Sequence, residues 1–94
     1  MQSFNEYGLN QNLLNSIKEL KFNKPTSIQD KVIPQILSSE SDIIATAQTG
    51  TGKTAAFGLP IIHLTDNHNK NIECVILCPT RELCLQISKD LNIF

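Results

Sequence analysis

A layered α/β fold, with parallel strands flanked by helices, is predicted by three observations. Helical and strand-like segments alternate along the 94 residues. A glycine-rich loop, Ala47-Gln48-Thr49-Gly50-Thr51-Gly52-Lys53-Thr54, joins an apolar strand-like run, Ile43-Ile44-Ala45, to a helix-like segment. Cys74-Val75-Ile76-Leu77-Cys78 is a continuous apolar run, the pattern of a parallel strand covered on both faces.

The loop has the composition of a phosphate-binding turn. Gly50 and Gly52 lack Cβ, so the backbone can take left-handed angles and approach a ligand closely. Successive N–H groups and the positive end of the following helix then favour phosphate oxygens. Lys53 supplies a mobile positive charge for the β- and γ-phosphates, and the Thr54 hydroxyl is placed to ligate Mg²⁺. Ala47 stands where the motif begins with Gly, a short side chain that the turn tolerates. These residues predict a P-loop NTPase.

In chain order, Asn10 caps a helix to Leu20, with Leu13, Leu14, Ile17 and Leu20 on its apolar side. Phe4 is an isolated aromatic that anchors the preceding tail. Pro25 stops this helix. Thr26 and Gln29, three residues apart, make a capping box for a second helix, which alone accounts for Gln29. That helix continues through Val32, Ile33, Ile36 and Leu37, with a kink or break expected at Pro34, and Ser38 to Ser41 form a loop. Asp42 to Ala47 is the first expected strand. A helix runs from Lys53 to about Leu64, distorted at Pro60, and Thr65 to Asn71 is a polar turn. Ile72 to Cys78 is the second expected strand. Pro79 ends it, and Thr80 caps a last helix whose inner face is Leu83, Ile87 and Leu91.

Composition narrows the partners. Net charge is −1, which argues against holding nucleic acid by bulk electrostatics, so any such contact is local. No apolar run approaches the roughly 20 residues of a membrane span. The first residues are polar and not basic, unlike a secretory or transit peptide, and the expected compartment is the cytosol. The three cysteines, Cys74, Cys78 and Cys84, lack C-x-x-C spacing and read as buried, reduced small hydrophobes. His63 and His68 have no partner at metal or catalytic spacing and read as surface or boundary residues.

With these residues in place, the chain resembles the amino-terminal part of a DEAD-box ATP-dependent RNA helicase, in the first of its RecA-like domains. Three blocks match in the family's order over residues 1–94. Residues 21–29 resemble the adenine-reading block, at Phe22, Pro25, Thr26 and Gln29. Residues 47–54 are similar to the phosphate loop, and residues 79–83 to the first RNA-contacting block. Phe4 falls where the family keeps an upstream aromatic. The resemblance implies that Gln29 bonds the adenine edge, that Phe22 stacks on the base and that Thr26 ties this block to the phosphate loop. It makes Lys53 the catalytic residue of the loop and Thr54 the Mg²⁺ ligand, with ATP bound along 47–54. Pro79, Thr80, Arg81 and Glu82 would meet the RNA backbone, Thr80 and Arg81 through a helix start and a guanidinium.

Some positions depart from the family's pattern. Lys21 stands where Gly is usual, and Cys84 where a small Ala is usual. The acidic block that names the family is not among these residues, and none of the nine acidic residues ends a buried strand. The family's sheet places other strands between these two, so unpaired strand edges are expected. The whole resembles a piece of a longer helicase, unable to hydrolyse ATP alone. Two alternatives stay open: a P-loop enzyme of another class, and a non-catalytic nucleotide-binding module.

Overall fold

The computed structural model describes residues 3–65 and 70–94; His68 and most of the expected turn at Thr65–Asn71 lie outside them. The described residues form a short 3₁₀ turn, Phe4–Tyr7, and four helices: α1 (Gln11–Glu19), α2 (Ser27–Ser38), α3 (Lys53–Leu64) and α4 (Arg81–Ile93). All four helices lie where the sequence places them.

Each helix start has a local cause. The Asn10 side chain accepts from the Leu13 N–H at 2.9 Å and caps α1, a bond worth about 1 kcal/mol. The predicted capping box opens α2: Thr26 N–H donates to Gln29 Oε1 at 2.9 Å, and Gln29 N–H to Thr26 Oγ1 at 3.5 Å. Thr80 caps α4 by accepting from the Leu83 N–H at 3.2 Å. The end of α1 explains Lys21. Phe22 N–H reaches back to the Ile17 carbonyl at 3.1 Å and Lys21 N–H to that of Lys18 at 3.0 Å. This is a Schellman closure, which needs a left-handed residue at its centre. Lys21 takes that conformation with φ 61°, the only non-glycine at positive φ among the described residues. Glycine would meet the demand with less strain.

The core lies between the 3₁₀ turn and the first three helices. Phe4, Leu9, Leu13, Ile17, Ile33, Ala55 and Leu59 form one buried cluster. Phe4 thus anchors the tail, with its ring edge-on to Tyr7. Helices α2 and α3 make the main packing interface. Both run uninterrupted through their prolines, so the break considered at Pro34 does not occur, and Pro60 is fully buried within α3.

Four expectations are corrected. Asp42–Ala47 and Ile72–Cys78 form no β-ladder among the described residues. A strand's N–H and C=O groups are satisfied by an adjacent strand, and among the described residues neither segment is laddered to one. The apolar run expected to be covered on both faces is open: Val75 is 72 % exposed and Leu77 90 %, as is Ile44 at 95 %. The cysteines follow the same logic. Cys74 and Cys84 are exposed and Cys78 is half-buried, rather than all three lying in a core. Finally, α4 has no buried residue. Its inner face meets α3 at Gly58, where a Cβ would collide with Leu91 Cδ2, but Leu83 stays 43 % exposed.

Candidate nucleotide site and nucleic-acid block

The phosphate loop adopts the backbone that its glycines permit. Gly50 and Gly52 sit at φ 83° and 86°. Thr51 Oγ1 donates to the Gln48 carbonyl at 2.6 Å and tightens the turn. Gly52 is the N-cap of α3 and has no side chain to cap it, so the first-turn N–H groups face the loop mouth. Lys53 is exposed at the first helical position and Thr54 follows it, half-buried. One helix terminus therefore presents N–H donors, a cation and a hydroxyl together, the arrangement that binds phosphate.

Gln29 joins this loop to residues 21–29. The side chain is 4 % exposed and is the only buried polar one among the described residues. Its Oε1 accepts from Thr26 N–H, and its Nε2 donates to the Gly52 carbonyl at 3.1 Å. The same carbonyl accepts from Ala56 N–H at 3.1 Å and so starts α3. A Cβ on Gly52 would strike Gln29 Nε2 and come within 3.2 Å of Thr26 Oγ1. The glycine is thus required twice, for its left-handed angle and for this contact. The tie between the two blocks, assigned by resemblance to Thr26, runs through the Gln29 amide, with Thr26 packed beside it. An amide offers two N–H donors and two acceptor lone pairs. Two of the four are used here, leaving one donor and one acceptor side by side.

A cleft of about 490 Å³ opens beside this junction, within the range of small-molecule sites. Gln29, Thr49, Gly50, Gly52, Lys53 and Thr54 line one side. Phe22 lines it too, 39 % exposed, with its ring edge-on to Phe94 at 6.2 Å. Pro25 is buried behind. The opposite wall is α4, through Leu83, Asp90 and Ile93, with Phe94 just beyond its end. Ala47 and Gln48 lie in the loop without lining the cleft.

Pro79, Thr80, Arg81 and Glu82 are all exposed at the start of α4. The Thr80 hydroxyl oxygen is engaged in the cap, and its own hydrogen remains a donor. The Cys78 thiol sits beside Cys84, and its pKa is raised by desolvation first and then by that neighbour. Among the described residues no three His, Cys, Asp or Glu side chains gather as a metal site. No described helix is long and apolar enough to cross a membrane.

The model of the DEAD/DEAH box helicase family matches residues 26–94 of this sequence. The chain belongs to the DEAD/DEAH box helicase family. This DEAD/DEAH chain is 51 % identical over 90 residues to a probable ATP-dependent RNA helicase of Methanocaldococcus jannaschii, covering 96 % of the chain and 24 % of that protein. It is 52 % identical over 89 residues to a DEAD-box ATP-dependent RNA helicase of Helicobacter pylori, covering 95 % and 18 %. Among solved structures, a DEAD box protein from the hyperthermophile Methanococcus jannaschii superposes with TM-score 0.93 at 47 % identity, over 99 % of this chain and 25 % of that one. S. cerevisiae Dbp5 bound to RNA and ADP BeF3 gives 0.91 at 36 %, over 99 % and 24 %. The chain thus spans about a quarter or less of the length of these relatives. The superpositions place the DEAD/DEAH chain in the RecA-like α/β class, including the two segments that form no ladder here.

Four features of this DEAD/DEAH chain were not predicted from sequence. His63, read as a lone boundary residue, accepts at Nδ1 from the Asn10 N–H at 3.0 Å. Tyr7 bonds to Asp30 across 23 residues. The Gln29 amide reaches the Gly52 carbonyl, and α4 forms a cleft wall. All four are long-range contacts with no periodic signature.

Proposed function

We propose that these residues are the ATP-binding part of an RNA helicase that couples ATP hydrolysis to RNA binding and duplex unwinding, working in the cytosol. The observation that carries this reading is the Gln29 amide, which holds the Gly52 carbonyl while keeping a donor and an acceptor free. That pair suits adenine, which offers N6 as donor and N7 as acceptor. Phe22 supplies an aromatic face beside it. The relatives' names as ATP-dependent RNA helicases point the same way.

In this reading the adenine lies against Phe22 and Gln29 and the phosphates lie on residues 47–54. Lys53 and the α3 N–H groups balance the triphosphate charge. The Thr54 hydroxyl, at the mouth of the loop, is one ligand that suits Mg²⁺, which would neutralise charge between the β- and γ-phosphates. Thr80 donates its hydroxyl hydrogen, and Arg81 its guanidinium, to RNA phosphates, with Pro79 and Glu82 flanking them. These contacts read the backbone rather than the bases.

The test uses the full-length protein that carries these residues. RNA should raise phosphate release from ATP. Arg81→Ala should weaken binding of unrelated RNA sequences alike and lower the salt slope by about one. Anisotropy titrations of two RNAs over a salt series, with turnover measured in parallel, check both parts. Turnover indifferent to RNA, or an Arg81→Ala defect confined to one RNA sequence, would contradict the reading.

A further inference from the structure

Tyr7 ends the 3₁₀ turn at the amino-terminal side of the core. Its ring meets that of Phe4 edge-on, with centroids 6.1 Å apart, and Phe4 is itself locked in the buried cluster. Its hydroxyl donates to Asp30 Oδ1 at 2.7 Å. Desolvation, then the Asp30 carboxylate, raises the Tyr7 pKa far above its usual range, so the hydroxyl stays a donor at any working pH. Asp30 is the residue after Gln29, and its N–H closes the first turn of α2 on the Thr26 carbonyl at 2.9 Å. Tyr7 does not line the nucleotide cleft.

The first turn of α2 is therefore held on one side by the Gln29–Gly52 bond and on another by Tyr7. Packing of α2 on α3 and the Gln29–Gly52 bond hold its inner side. A second attachment, on the adjacent residue, fixes the angle. The angle matters because a hydrogen bond weakens steeply as its donor turns away from the acceptor.

We propose that Tyr7 is a positioning residue of the nucleotide site. Its bond to Asp30 sets the direction of the Gln29 amide, so discrimination between bases depends on a residue outside the adenine-reading block. The inference rests on the base-reading role given to Gln29 above.

Competition between ATP and GTP for the full-length protein tests it. Tyr7→Phe keeps the ring packing on Phe4 and removes only the hydroxyl. The preference for ATP over GTP should fall about 3- to 10-fold, the effect of one hydrogen bond, with the loss on ATP and GTP affinity unchanged. Asp30→Leu should lose at least as much, and the double variant no more than Asp30→Leu alone. Full preference in Tyr7→Phe, equal losses on both nucleotides, or additive losses in the double variant would overturn the proposal. A wild-type protein that does not distinguish ATP from GTP would instead refute the base-reading role itself, and the proposal with it.

Discussion

The 94-residue chain alone is expected to release phosphate from ATP at least about 10³-fold more slowly than the full-length, RNA-stimulated protein. Phosphoryl transfer needs a metal held between phosphates and protein acids, a group that orients the attacking water, and positive charge on the transition state. In the proposed reading Thr54 would provide one metal ligand and Lys53 one cation. Among the described residues no acidic cluster completes the metal site. Asp90 lines the cleft, but its Oδ1 accepts from Gln86 Nε2 at 2.8 Å on its own helix. An arginine brought by a second domain accounts for about 10³–10⁵ in rate in related chemistry, and Arg81 is the only arginine in these residues. Phosphate release by the chain and by the full-length protein, with RNA and Mg²⁺ present, measures the difference. RNA-stimulated turnover by the chain alone, abolished by Lys53→Ala, would show a catalytic set that this account lacks.

Lys53→Ala should remove most of the triphosphate affinity. The lysine stands exposed at the first position of α3, and among the described residues it is the only cation lining the cleft. Hydrogen bonds to charged groups contribute about 1.5–3 kcal/mol, so dissociation constants should rise about 10- to 150-fold. The backbone N–H groups of the loop remain, which leaves residual binding. Lys53 is exposed and not a member of the buried cluster, so thermal stability should change little. Calorimetry of ATP binding by the full-length variant, paired with its melting temperature, separates the two effects. ATP affinity equal to wild type would remove Lys53 from the phosphate site.

Much of this molecule was legible in its sequence because the signals are local. The Thr26–Gln29 box, the Asn10 and Thr80 caps and the Gly50–Gly52 turn depend on residues within three positions of one another. The left-handed Lys21 is legible in hindsight, since it stands where the family keeps glycine. The strand segments misled for a physical reason. An apolar run such as Cys74–Cys78 specifies a buried strand only where neighbours pair with it and cover both faces, and among the described residues no strand pairs with it and Val75 and Leu77 stay open. The exposure of the three cysteines follows from that one fact. Contacts that close the site, from Tyr7 to Asp30 and from Gln29 to Gly52, each span 23 residues between unlike side chains or backbone groups. No periodicity encodes them, so they emerged only from the packed structure.

The central claim is that Gln29 reads adenine while holding the phosphate loop. Its most direct measurement is the ATP and GTP affinity of the full-length protein before and after Gln29→Ala. Wild type should prefer ATP, and the variant should lose about 1–3 kcal/mol of ATP affinity, much of it in the preference over GTP. Equal competition by ATP and GTP in the wild type, or an unchanged preference in Gln29→Ala, would contradict it.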